Sequence, residues 1–216
     1  MQNSNADWKF VMLHKAPYSQ GSHYKDDDVC NFREQLGALM PQLDVDMVFQ
    51  GHDHVYMRTA SLDSNQIAKT KWIYLEKDGE VFPAQESPTG TTYVISGTAG
   101  VKTYNTNDLN DVLEYIPRPE ASFGLDAPMY TAVEIKDQVL YMTAYAVKDG
   151  ESVKMDSFAI RKDPSQGKPA DYTPAVETQE ATSKFITYMQ TVSEKMQKIA
   201  KVVFNLIRIY ILRVKL

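Results

Sequence analysis

The chain has 216 residues and a formal net charge of -5, and 43% of its residues are hydrophobic. This length suits one large domain, or one domain with an appendage, and the apolar fraction is enough to build a core. The acidic balance disfavours a general nucleic-acid binder, which needs a basic surface, so we expect no nucleic-acid partner. The single cysteine, Cys30, excludes both a disulfide within the chain and a C-x-x-C metal site.

The polar N-terminus runs almost directly into a predicted core strand. The first seven residues lack the basic and then apolar pattern of a secretory signal. Residues 9–13 form a short apolar strand that stops at His14, and Pro17 breaks the pattern soon afterwards. Because a domain usually has a lead-in before its first core strand, we expect that an N-terminal part of the domain is missing from this sequence.

A helix and a second strand follow. Residues 29–39 carry apolar side chains at helical spacing, three aspartates precede them, and Pro41 is expected to end the helix. Residues 45–49 form the second apolar strand, which runs into Gly51-His52-Asp53-His54. A strand, a helix and a strand at this spacing predict a βαβ unit whose strands are parallel and buried on both faces. Both strands then end at the same edge of the sheet, which brings His14 towards the other two histidines.

Beyond residue 70 the pattern becomes that of an all-β segment. Candidate strands cover residues 71–75, 91–96, 130–135, 139–146 and 152–160. Lys136-Asp137 and Lys148-Asp149-Gly150 predict tight turns between the last three of these strands. The small residues at 97–100 are typical of a turn where a backbone comes close to a ligand.

The C-terminal part has a different composition. Residues 163–180 are predicted to be a linker. Residues 181–216 form a basic tail that contains seven Lys and Arg residues and one acidic residue. No uncharged run in the tail approaches the roughly 20 residues that a membrane span needs. Its apolar residues follow helical spacing, so we predict an amphipathic helix that docks on the domain. The alternatives are a membrane-surface helix, a helix that binds a partner, or an end altered by truncation or cloning.

The Gly51-His52-Asp53-His54 run is the sharpest chemical signal. Alternate side chains of extended backbone point the same way, so His52 and His54 can face one site, and Gly51 permits a sharp turn. Neutral imidazole is a good ligand for zinc, iron or manganese ions. A His-x-His pair alone is a weak signal, and a lone histidine at a strand end is usually just hydrogen-bonded. The convergence of the pair with His14 predicts a metal site.

Two motifs together resemble a known family. Val11-x-x-His14 followed by Gly51-His52-x-His54 resembles the closing motif pair of calcineurin-like metallophosphoesterases, and the extension through Tyr56 and Arg58 resembles the purple acid phosphatase branch. Further similarity covers about residues 8–162 and includes the strand at 92–97 and the final strands at 130–162. The resemblance implies an α/β fold, namely the C-terminal half of an αββα sandwich: a βαβ unit, then a β-meander, then the helical tail.

The resemblance also implies a set of site residues. His14 and His52 would bind one metal ion and His54 the other, and the complete enzyme would hold two divalent or trivalent ions of iron, zinc or manganese. His23 matches a histidine that faces the substrate phosphate, so it is the candidate catalytic and substrate-binding residue, with a solvated loop histidine as the alternative. Tyr24 is expected to line the same rim.

Three further residues of the motif are expected to support the ligands. Asp53 is expected to form the turn or to assist a ligand rather than to bind a metal ion. Tyr56 and Arg58 are expected to pack and brace the loop.

The family's aspartate-bearing motifs, which precede the Val-x-x-His strand, do not occur in this sequence. We therefore expect the isolated chain to bind metal weakly and to hydrolyse phosphate esters poorly. The sheet is expected to have an exposed edge that invites pairing with a second copy or with the N-terminal half of the same protein.

The predicted function is hydrolysis of phosphate monoesters. A phosphodiesterase or nucleotidase and a non-catalytic interaction module are the alternatives. The expected substrate is a phosphate ester, the tail is a candidate contact with a membrane surface, and the expected location is extracellular or at the cell surface, as is usual in this branch.

Overall fold

A computed structural model describes residues 4–162 of the chain. Within this range the elements, in chain order, are β1 (Phe10–Lys15), α1 (Asp27–Gln42), β2 (Met47–Gly51), β3 (Tyr56–Asp63), β4 (Gln66–Ile67), β5 (Lys71–Lys77), β6 (Glu80–Glu86), β7 (Thr91–Ser96), α2 (Leu109–Leu113), β8 (Ala121–Phe123), β9 (Met129–Lys136), β10 (Val139–Lys148) and β11 (Glu151–Arg161). No helix in this range is long and apolar enough to cross a membrane. The predicted linker at 163–180 and the predicted helical tail at 181–216 lie outside the described residues.

The βαβ unit is confirmed. β1 pairs with β2 in parallel, with Val11 opposite Val48, and α1 makes the connection between them. Parallel pairing requires such a crossover because the chain must return to the same end of the sheet before the second strand begins. The carboxyl ends of β1 and β2 therefore meet at one edge.

The helix is longer than its pattern indicated, and the expectation that Pro41 ends it is wrong. Pro41 lies in the last turn of α1, which continues to Gln42. A proline has no N–H to donate to the carbonyl four residues earlier, here that of Gly37. The backbone N–H of Ser64 donates to this carbonyl at 3.2 Å instead. A contact from another part of the chain thus replaces the missing intrahelical bond.

The first sheet has the order β1-β2-β7-β3-β4, with β8 paired to β3. Side chains of its central strands alternate between two cores: Val48 and Tyr93 belong to the core that also contains α1 residues, whereas Met47 and Val94 belong to the core shared with the second sheet. Burial on both faces thus holds for β2 and β7. It is wrong for β1, where Met12 is 83% exposed, because β1 is the edge strand among the described residues.

The second sheet ends in the predicted meander. β9, β10 and β11 pair antiparallel in chain order, and β11 also pairs in parallel with β6. Asp137 and Asp149 adopt positive φ angles of 53° at the two hairpin turns. The inner side chains, among them Met142 and Phe158, pack against the first sheet. Two stacked sheets with α1 on the outer face of the first form the expected α/β sandwich.

The strands β3, β4, β6 and β8 were not predicted. β3 is buried at every position but the last, including the polar residues Arg58, Thr59 and Ser61, so its sequence shows no alternation of polar and apolar residues. β6 contains Pro83, which argues against a strand because proline cannot donate to a ladder.

The described residues divide into two compact units. One comprises residues 4–73 and 83–162 and contains all four histidines. In the described part of the other, Tyr74–Phe82, the chain turns at Asp78 and Gly79, whose φ angles of 52° and 78° suit a two-residue hairpin loop.

Candidate metal and phosphate site

His14 and His52 meet at the carboxyl edge of the first sheet. The register sets Lys15 opposite Gly51, so the neighbouring residues of each strand come together. The His14 Nε2 and His52 Nδ1 atoms are 3.2 Å apart, and the two rings meet edge to face with centroids at 5.1 Å. The fold thus joins two histidines that are 38 residues apart in sequence.

The turn that carries His52 has an unusual backbone. His52 adopts a φ of 70°, in the left-handed region, and the N–H of Asp53 donates to the Gly51 carbonyl at 2.9 Å. Side chains with a Cβ rarely adopt this conformation, and such residues cluster at functional sites. Partial removal from water lowers the pKa of His52, and the nearby His23 and His14 lower it further. These effects favour the neutral imidazole, which is the form that binds metal ions.

His23 joins the same group of rings. Its centroid lies 4.3 Å from that of His52, and its Nδ1 lies 2.8 Å from Asp26 Oδ2. Asp26 is the N-terminal capping position of α1, but its side chain makes no capping hydrogen bond, so its carboxylate serves His23 instead. An ionised carboxylate only accepts, so His23 Nδ1 carries the proton of this bond and the Nε2 side of the ring is left for another contact.

His54 is held by a different segment. Its Nδ1 lies 2.6 Å from the carbonyl oxygen of Lys102, and its ring stacks on Tyr104 with centroids 4.7 Å apart. A carbonyl can only accept, so Nδ1 carries the proton and Nε2 is free for a ligand. In the described range the ring contact of His54 is with Tyr104, whereas His14, His23 and His52 contact one another.

Tyr24 lies in the core next to the loop that carries His23. Its side chain is 6% exposed and meets the ring of Tyr115 edge to face at 5.3 Å. This burial gives no support to a contact with substrate, and the rim role of Tyr24 stays a prediction.

The distance between the facing nitrogens of His14 and His52 bears on whether the two side chains can share one metal ion. Two nitrogens that bind the same ion, each at about 2.1 Å, lie about 3.0–3.4 Å apart when the angle between them is octahedral to tetrahedral. The 3.2 Å between His14 Nε2 and His52 Nδ1 fits this range. Among residues 4–162, no three or more His, Cys, Asp or Glu side chains form a group that could hold an ion. This pair therefore has the spacing of two ligands, but the described side chains do not form a closed set.

Buried side chains fix the loop between β1 and α1, a role that their sequence pattern did not predict. Arg33, on the buried face of α1, donates from Nε to the Pro17 carbonyl at 2.7 Å and from Nη2 to the Tyr24 carbonyl at 2.5 Å. Gln50 Nε2 donates to the Tyr18 carbonyl at 2.6 Å. The position of Arg33 among the apolar residues of a predicted helix was the available signal, because a buried arginine needs acceptors.

Tyr56 and Arg58 brace the sheet that carries the turn. Tyr56 Oη donates to Asp156 Oδ2 at 2.6 Å, and Arg58 donates from Nε to the same oxygen at 2.7 Å and from Nη2 to Oδ1 at 3.2 Å. β3 is thereby tied to β11 across the core between the two sheets. The expected bracing role agrees with these contacts.

Residues 1–56 match the family model of the calcineurin-like phosphoesterases. The structure of a purple acid phosphatase from yellow lupin (Lupinus luteus) seeds is similar to this chain, with a TM-score of 0.50 and 20% sequence identity over 78% of this chain and 28% of that protein. The chain therefore spans 28% of the length of the phosphatase that it resembles. At this identity the likeness shows the fold. The family match over residues 1–56 and the shared fold support the resemblance of the histidine motifs to the calcineurin-like metallophosphoesterases.

Two further structures align with this chain at low scores. Vacuolar protein sorting 29 from Cryptosporidium parvum is 17% identical over 64% of this chain and 46% of that protein, with a TM-score of 0.26. A single mutant of Vps29 from Entamoeba histolytica is 19% identical over 61% of this chain and 48% of that protein, with a TM-score of 0.22.

Proposed function

We propose that the chain contributes the histidine side of a metal-dependent site that hydrolyses phosphate monoesters, of the purple acid phosphatase type. The observation that carries this proposal is the convergence of His14, His23 and His52 at the carboxyl edge of the first sheet. Side chains at that edge are where open α/β sheets bind ligands. The run from Gly51 to Arg58 supports the purple acid phosphatase branch.

Each histidine has a distinct proposed role. His14 and His52 would bind one metal ion, because the spacing of their facing nitrogens suits a shared ligand. His54 would bind a second ion through Nε2, since the Lys102 carbonyl occupies the Nδ1 proton. Two ions, when bound, would supply an activated water and neutralise charge on the phosphate.

His23 is the proposed proton donor to the leaving oxygen. Its ring lies against His52, and Asp26 fixes the orientation of the ring through Nδ1. The Nε2 side is then the one that can hold a phosphate oxygen or transfer a proton to the departing alcohol. Among the described residues, the histidine rings in contact with His52 are those of His23 and His14.

Imidazole NMR during a metal titration tests the proposal. The chain contains four histidines, at positions 14, 23, 52 and 54, so each ring signal can be assigned. Added Mn²⁺ is expected to broaden the signals of His14 and His52 first, and His52→Ala is expected to weaken binding at least tenfold, since it removes one of two facing ligands. Asp111→Asn, an exposed change on α2, is the control and should leave the titration unchanged. Histidine signals that do not respond to Mn²⁺ or Zn²⁺ at millimolar concentration would refute the proposal.

The reaction class is tested with two chromogenic esters. Turnover of p-nitrophenyl phosphate above that of bis(p-nitrophenyl) phosphate, lost in His52→Ala, supports a monoesterase, and the reverse preference supports the phosphodiesterase alternative. The predicted turnover of this chain alone is low. High turnover that depends on His52 would contradict the prediction of a partial ligand set, although it would uphold the proposed chemistry.

A further inference from the structure

We infer that Asp53 is a positioning residue, whose buried carboxylate fixes, through Ser19, the loop that presents His23 to His52. The role of His23 in this inference rests on the proposed function. Asp53 lies between the two histidines of the turn, so a segment that is hydrogen-bonded to its side chain is held in position relative to both of them. Its side chain faces the loop at 17–24, which is the segment that carries His23.

The link between the turn and the loop is a short chain of buried hydrogen bonds. Asp53 is 2% exposed and Ser19 is fully buried. Ser19 Oγ donates to Asp53 Oδ2 at 2.5 Å and accepts from the backbone N–H of Gly21 at 2.8 Å. Hydrogen bonds to a charged acceptor away from water are stronger than neutral ones, so this link restrains the loop firmly.

Gly21 shows how closely the loop sits on the carboxylate. A Cβ atom added at this position would lie 2.3 Å from Asp53 Cγ and 2.6 Å from Asp53 Cβ. Asp53 is short and buried, so it cannot swing aside as an exposed long side chain would. The loop backbone therefore packs directly against the Asp53 side chain, and this contact fixes the distance between His23 and the turn that carries His52.

Asn107 closes the other side of the loop. Its Nδ2 donates to the Gly21 carbonyl at 2.6 Å and its backbone N–H donates to the Gln20 carbonyl at 2.9 Å. Gln20 Nε2 returns a bond to the Asn107 carbonyl at 2.8 Å. Asn107 belongs to the segment whose Lys102 carbonyl holds His54. One network thus connects the three segments that carry His23, the His52 turn and the support of His54.

The carboxylate has a feature that its bonds to the loop do not explain. Asp53 Oδ1 is buried without a hydrogen-bond partner among the described residues. Leaving such an atom unsatisfied costs about 1–3 kcal/mol, so an apolar residue of similar shape would serve a purely structural turn better. The geometry of the loop, rather than the stability of the turn, is what the carboxylate supports.

The test measures the spacing of the two rings directly. Inter-ring nuclear Overhauser effects between His23 and His52 report their contact, and inorganic phosphate binding to the Mn²⁺-loaded chain reports its consequence. Asp53→Ala and Ser19→Ala are expected to abolish the inter-ring signal and to weaken phosphate binding about tenfold, since small misplacements of a ligand-facing group have effects of this size or larger. Asp53→Asn retains an acceptor for Ser19 and is expected to restore the inter-ring signal. Asp111→Ala, an exposed acid on α2, is the matched control.

The outcomes separate this inference from the proposed function. Retention of the inter-ring signal in both Asp53→Ala and Ser19→Ala overturns the inference, and loss in Asp53→Ala alone overturns the route through Ser19. Should Asp53→Ala fail to fold, Ser19→Ala still decides, because it removes a single hydroxyl. Failure of the unmodified chain to bind Mn²⁺ or phosphate counts against the proposed function, while the ring contact continues to test the inference.

Discussion

Replacement of Asp156 with alanine is expected to destabilise the protein more than any surface change. Asp156 accepts three hydrogen bonds, one from Tyr56 and two from Arg58, and the Arg58 and Asp156 side chains are only 6% and 12% exposed. Burial by itself would lower the pKa of Arg58, but the adjacent Asp156 more than offsets this and holds it raised. Removing Asp156 takes this compensation away, but an arginine is not deprotonated in proteins, so the guanidinium stays charged and loses its partner.

The expected magnitude follows from that uncompensated charge. Removing one partner of a buried ion pair costs about 3–5 kcal/mol, because the remaining charge has lost its attraction without regaining water. The Arg58 guanidinium also lies 4.4 Å from the centroid of Phe158, a contact that survives the substitution and keeps the group in place. Since a domain's total stability is about 5–15 kcal/mol, the loss is a large part of it.

Urea unfolding followed by circular dichroism measures the loss. We expect Asp156→Ala to lower the free energy of unfolding by about 4 kcal/mol at neutral pH. Arg58→Met combined with Asp156→Leu removes both charges and is expected to lose less than Asp156→Ala alone, since apolar replacement of a whole buried pair is often close to neutral. A single variant within 1 kcal/mol of wild type, or a double variant as unstable as the sum of the two single changes, would refute this reasoning.

Three further outcomes are expected. Gly124→Ala would place a Cβ 2.6–2.8 Å from the backbone at 104–106, so we expect a shifted His54 imidazole signal in NMR spectra, and an unchanged signal would contradict the close approach. A hydrogen bond from Lys71 lowers the pKa of Glu86. We therefore expect Glu86→Gln to lower the free energy of unfolding in urea by its full amount above the unfolded pKa near 4.3, and by less as the pH falls through the lowered pKa of the folded state. If the destabilisation by Glu86→Gln instead grew as the pH fell, this expected pH dependence would be wrong. Met12→Lys places a charge on the exposed edge strand β1 and is expected to reduce self-association in sedimentation velocity, whereas equal association in both proteins would show that this edge does not pair.

The β-strand pattern of the sequence predicted the meander but not the strands with buried polar residues. Alternation at 130–135, 139–146 and 152–160 indicated β9, β10 and β11, whose turns depend on local residues such as Asp149. β3 was not predicted because it buries a charged residue, Arg58, whose charge is paired with Asp156, 98 residues later in the chain. A local pattern cannot report a partner at that distance.

The βαβ unit, and the edge of the sheet at which its histidines meet, follow from the order of apolar segments along the chain. An apolar strand, an amphipathic helix and a second apolar strand can return to a sheet in parallel only by a crossover, so the ends at His14 and His52 had to lie together. The tertiary structure alone decided how the loop with His23 is held. Its restraints come from Asp53 and Asn107, on segments that are distant in sequence, and hydrogen bonds between such segments exist only once the sheets have packed.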